Sequence, residues 1–115
     1  MNTHTGHTNA IPASRVIGTD VFSTAGQKIG VIEDVMLEKS SNGIMFAVIG
    51  FGGFLGIGEK YHAIPWSVLD YEKSRGGYVV PFSQEQLKAA PAYSINELTG
   101  DDGKAFASGT DISQF

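Results

Sequence analysis

From Arg15 to about residue 82 the chain alternates short apolar segments with turn signals, a pattern that predicts strands and a small all-β domain. Val16, Ile17 and Gly18 lead into a first strand at Asp20, Val21 and Phe22. Residues 24–27 form a turn in which Gly26 is free to take positive φ. Residues 28–39 then alternate strictly, placing Ile29, Val31, Val35 and Leu37 on one face. Glu33 interrupts that face while Ile32 and Met36 occupy the other, which predicts a bulge near Glu33 and Asp34. Asn42-Gly43 between two apolar runs is the strongest hairpin signal in the chain.

Residues 44–51 are apolar at both parities. Ile44, Phe46 and Val48 fall on one side, and Met45, Ala47, Ile49 and Phe51 on the other. In a parallel sheet helices would cover both faces, but no helical period separates these strands. A closed or nearly closed barrel is expected, with this strand covered on its outside by a tail or by a second subunit. The loop that follows interleaves Phe51, Phe54, Leu55 and Ile57 with Gly50, Gly52, Gly53, Gly56 and Gly58. Surface loops are ordinarily polar, so such a loop should fold over a core or meet another chain.

Residues 59–64 are read as the next strand, ended by Pro65, residues 71–77 as a polar turn, and residues 78–82 as a final short strand. Ser83 with Gln86 makes a capping box for a short helix that Pro91 stops. Residues 1–13 read as a flexible lead. Residues 92–115 are polar and rich in Gly, Asp and Ser, and are expected to be disordered or docked on an apolar surface. No internal repeat stands out.

Composition narrows the function classes. Hydrophobic residues make up 42% of the 115, enough for one real core, while a net charge of −4 with scattered Lys and Arg argues against a phosphate-driven role. With no cysteine there is no disulfide framework, thiol nucleophile or thiolate metal site. No run approaches the roughly 18 apolar residues that span a bilayer, so a cytoplasmic protein without membrane insertion is expected.

Candidate chemistry is sparse. The glycine frame from Gly53 to Lys60 resembles a phosphate-binding loop in spacing, but Glu59 would repel a phosphate and Tyr61 stands where a Mg²⁺-holding hydroxyl belongs. Glu33 and Asp34 are adjacent on a strand and point to opposite faces, so they are not a cooperating acid–base pair. A buried Glu33 would need a partner such as Lys28, Lys60 or His62, and serves best as a structural hydrogen bond. His62 is a lone strand histidine, read as a partly buried imidazole near the barrel rim and not as a metal ligand. Tyr61 and Trp66 belong to a core or a protein contact, because no Lys or Arg is interleaved to hold nucleic acid.

Three blocks carry a resemblance: SRVIGTDVF at 14–22, GQKIGVIEDV at 26–35, and FGGFLGIGEKYHAIPW at 51–66. They resemble the PRC-barrel family, in its small stand-alone bacterial form. Related domains are the cytoplasmic part of the reaction-centre H subunit and the C-terminal domain of a ribosome-maturation factor. The resemblance covers residues 14–90. It implies a six-stranded, partly open β-barrel with a short helix, a role in binding other macromolecules, and no catalytic residues. The expected organisation is a lead at 1–13, a barrel at 14–91 and a tail at 92–115. The expected function is a non-catalytic adaptor that forms a homodimer and binds a protein partner, needing no cofactor. Ile49, Phe51, Phe54, Leu55, Ile57, Tyr61 and Trp66 are the candidate contacts. A rival reading is a small-ligand or ion-binding barrel whose mouth is lined by Glu33, Glu59, Tyr61 and His62.

Overall fold

Strand formation follows the alternation along the chain, and the computed structural model describes residues 10–50 and 61–100. A short helix, α1 (Ala13–Val16), precedes β1 (Asp20–Phe22), β2 (Lys28–Glu38), β3 (Gly43–Gly50) and β4 (Tyr61–Pro65). After a 3₁₀ turn at Trp66–Val68 come β5 (Asp70–Glu72), β6 (Gly77–Val79), α2 (Gln84–Ala89) and α3 (Ile95–Thr99). Six strands form one sheet in the order β4-β3-β2-β1-β6-β5. All pairs are antiparallel except β1 with β6, which is parallel. The result is a six-stranded, partly open barrel, with β4 and β5 at its two edges.

The β2–β3 hairpin turns through Asn42 in the left-handed region, φ 62°, a conformation that asparagine tolerates better than most residues. The register slips between Ile32 and Asp34, so Glu33 is the extra residue of a bulge. That bulge turns its side chain out, and Glu33 is exposed, not buried as the broken alternation suggested.

Two further elements differ from the sequence expectation. Asp70–Glu72 is a strand, not part of a polar turn, because Tyr71 pairs directly with Tyr78 and their rings meet edge-on at 5.3 Å. The last strand ends at Val79; the Val80 amide still reaches the Phe22 carbonyl at 3.0 Å, and Pro81 then supplies no donor.

Apolar residues at both parities of β3 produce two cores. Ala47 and Ile49 face inward with Val21, Ile29, Ile32, Ile64, Tyr78, Val80 and Leu87. Phe46 and Val48 face outward and form a second cluster with Ala63 and Leu98. The chain's own C-terminal segment covers that outer face. Leu98, carried by α3, is fully buried there, which is worth about 1.5–3 kcal/mol for a side chain of its size.

Candidate functional site

The outer face of β3 and β4 is the most developed feature outside the inner core. Adjacent strands bring Phe46, Val48 and Ala63 together, since Val48 pairs with Ala63 and residues directly opposite share a face. Met36, Met45, Tyr61 and Tyr93 pack around them at partial burial. Tyr61 and Tyr93 form an isolated antiparallel bridge, Tyr61 N–H to the Tyr93 carbonyl at 2.8 Å and Tyr93 N–H to the Tyr61 carbonyl at 2.9 Å. Ser94 then caps α3, its hydroxyl accepting from the Glu97 amide at 3.2 Å while the Glu97 carboxylate accepts from the Ser94 amide at 2.8 Å. This box sets the turn that delivers Leu98 to the cluster.

The sequence also carries a local signal for this turn, one that the Gly, Asp and Ser content of residues 92–115 masks. Ser94-Ile-Asn-Glu97-Leu98 repeats the pattern of Ser83-Gln-Glu-Gln86-Leu87 eleven residues earlier, and both are complete capping boxes. Leu87 enters the inner core and Leu98 the outer one. Two copies of one local device therefore plug the two faces of the same sheet.

The sequence-predicted residues divide as follows. Ile49 is fully buried in the inner core and offers no outer surface, which corrects its place among the contact candidates. The outward parity of β3 belongs to Phe46 and Val48 instead, and they are also buried. Phe51, Phe54, Leu55, Ile57 and Glu59 lie outside the described residues. Tyr61 is half-buried on the outer face. Trp66 is half-buried against the inner core, its ring 5.6 Å from that of Tyr78.

Among the polar candidates, Glu33 lies across Gly50, where an added Cβ would meet its Cγ at 2.9 Å. Asp34 is exposed and its carboxylate accepts the Val35 amide at 2.8 Å. His62 is buried and its Nδ1 lies 3.0 Å from the Pro91 carbonyl. A carbonyl only accepts, so the contact requires the proton on Nδ1. His62 pairs with Ile49 on the inner face, whereas Glu33 and Tyr61 lie to either side of Gly50 on the outer face. The sheet separates them, so Glu33, Tyr61 and His62 do not line one pocket. Among the described residues no group of three or more His, Asp or Glu could hold a metal ion. No helix among them is long and apolar enough to cross a membrane.

The Tyr78 phenol has its pKa pushed above the usual 10.0, first by burial and then by the neighbouring Tyr71. A raised folded-state pKa means that the neutral phenol is the form the fold prefers. Its contribution is present in full below the unfolded value of 10.0 and is lost as pH rises from there through the raised folded value. Melting temperatures measured across that range should fall less steeply for Tyr78→Phe than for the parent chain. Parallel slopes for the two proteins would show that Tyr78 does not drive the alkaline loss.

No curated protein matches the chain. The PRC-barrel domain description matches residues 8–87, more than half the length, and that span takes in every strand of the sheet while leaving the Tyr93 bridge and α3 outside it. The chain belongs to the PRC-barrel domain family.

Proposed function

We propose that this protein is a non-catalytic adaptor that self-associates and binds a protein partner. The observation that carries the reading is the outer face of β3 and β4. An apolar surface on the outside of the barrel accepts a separate chain segment through one backbone bridge and one buried leucine. That is the arrangement of a surface that recognises protein, by strand addition and a hydrophobic anchor. Among the described residues the titratable side chains do not assemble into a reacting group: His62 is tied to a carbonyl on the inner face, and Asp34 to its own neighbour's amide.

Self-association is assigned to the apolar glycine-rich segment that holds Phe51, Phe54, Leu55 and Ile57, which carries more large hydrophobes than a loop ordinarily does. The mass of the full chain across a wide dilution range should be that of a dimer. Phe54→Asp should weaken the dimer about tenfold or more, as loss of a central apolar anchor does. A parent chain that is monomeric at every concentration would end the self-association half of the reading. It would leave the partner-binding half to the peptide experiment below.

A further inference from the structure

The segment that covers the outer face is held by an incomplete version of a better interaction. β4 is an edge strand. Its Tyr61 turns both backbone groups to the open edge, where Tyr93 meets them. In an antiparallel ladder, residues two apart on a strand point their backbone groups the same way, so Ala63 presents its N–H and C=O to that edge too. Continuing the register from Tyr61 and Tyr93 by two residues sets Ala63 against Pro91. Proline has no N–H to give the Ala63 carbonyl. The Pro91 carbonyl is engaged by His62 Nδ1 at 3.0 Å. Among the described residues, the backbone pairing along this edge is confined to Tyr61 and Tyr93.

The remaining contacts are equally economical. α3 has five residues, too few to persist as a helix without its cap and its docking. Leu98 is the single fully buried side chain that the segment contributes to the outer cluster. Ala63 is only 3% exposed and, among the described residues, has no ladder partner on that edge; buried backbone groups are stabilised by finding one.

We propose that the β4 edge from Tyr61 to Ala63, with the apolar face of Phe46, Val48 and Ala63, is a docking site for an extended protein segment, and that residues 91–99 are its displaceable in-chain occupant. This rests on the protein-binding reading above and specifies the partner's chemistry. The incoming segment carries a residue with a free N–H where Pro91 stands. An aromatic follows two positions later in the place of Tyr93. A Ser or Thr cap comes next, with a leucine four residues beyond it. Such a segment pairs with both Tyr61 and Ala63, forms the same capped turn and seats its leucine in the site of Leu98. Its carbonyl opposite Ala63 also takes over the His62 contact. The chain's own segment then swings away about the Ala90–Pro91 junction.

The test uses two labelled peptides with the sequence of residues 90–100, one native and one with Pro91→Val, each titrated into the full chain and into full-length Leu98→Asp. Leu98→Asp drives the in-chain segment off the apolar face. The valine peptide should bind it about threefold to tenfold more tightly than the native peptide, the yield of one added backbone hydrogen bond. Binding to the parent chain should be weaker for both peptides, since its own segment competes. The valine N–H of the bound peptide, donating to the Ala63 carbonyl, should exchange more slowly than in the free peptide. Equal affinities for the two peptides would overturn the edge-pairing proposal, and so would no binding to Leu98→Asp with an unchanged near-ultraviolet signal from Trp66, which packs against the inner core. If that variant loses the Trp66 signal, the parent chain decides: the valine N–H of the peptide must be protected when it is bound to excess parent chain, and absence of protection overturns the proposal. A dimer that persists while both peptides fail would separate loss of this inference from loss of the adaptor reading.

Discussion

Phe46→Ala should lower the unfolding free energy by about 3–5 kcal/mol, the usual loss for truncating a buried phenylalanine. Phe46 points away from the barrel interior, and a Phe on an open outer face would cost only about 0.5 kcal/mol to truncate. The large value follows from the cover. Phe46 is fully buried between Val48, Ala63 and Leu98. Its removal leaves a cavity that α3, anchored by a single leucine, fills only in part. Urea unfolding checks the size of the effect, and a double-mutant cycle with Leu98→Ala checks its origin. Residues in direct contact share a coupling of about 0.5–3 kcal/mol. A small single-mutant loss with no coupling would mean that the C-terminal segment does not shield this face. For a domain whose whole stability is about 5–15 kcal/mol, the effect is a large fraction.

Gly77→Ala should cost about 3 kcal/mol or more, for a reason unrelated to backbone freedom. Gly77 opens β6 where that strand runs parallel to β1. A Cβ there would lie 2.5 Å from the Asp20 carbonyl oxygen and 2.7 Å from Cε2 of Phe22. The first of these atoms is main chain, so relief requires β6 to move off β1 and break the pairing that joins β5 and β6 to the rest of the sheet. Gly76 provides the control. It has φ +68° and nothing within 4 Å of an added Cβ, so alanine there meets only the left-handed penalty of about 1 kcal/mol. Chemical denaturation of the two variants side by side should separate them clearly. Equal losses at the two positions would show that the strand contact, as described, is not limiting.

How legible was this structure in the sequence? The β2–β3 hairpin was legible because Asn42-Gly43 is a local signal and the flanking alternation is long. The bulge was legible at Glu33 because one polar residue broke a strict period, and the register does slip there. The α2 capping box could be read from four residues. Each of these depends on neighbours in the chain. Strand β5 was not legible, because Asp70, Tyr71 and Glu72 form a strand only through pairing with β6. The exposure of Glu33 was not legible for a related reason. Period alone cannot say which way a bulged residue turns.

The candidate site divides along the same line. Two-sided apolarity in β3 required a cover on the outside, and the sequence offered a tail or a second subunit with no means of choosing. The repeated capping box at Ser94 is written in the sequence, but Ile95 and Leu98 are too few to form a core alone. They needed Phe46, Val48 and Ala63, contributed by strands about 35–50 residues earlier, to complete one.

By itself, then, the sequence determined the strands with long alternation, the turns and caps that separate them, and the family in three contiguous blocks. Periodicity, turn chemistry and capping act over a few residues and leave their mark on the chain directly. Only the tertiary structure decided which segment covers the outside of β3, that Ile49 belongs to the interior, and that His62 and Glu33 lie on opposite sides of the sheet. These are relations between residues far apart in sequence. They are fixed by the register of paired strands and by where an apolar side chain finds enough partners to leave water.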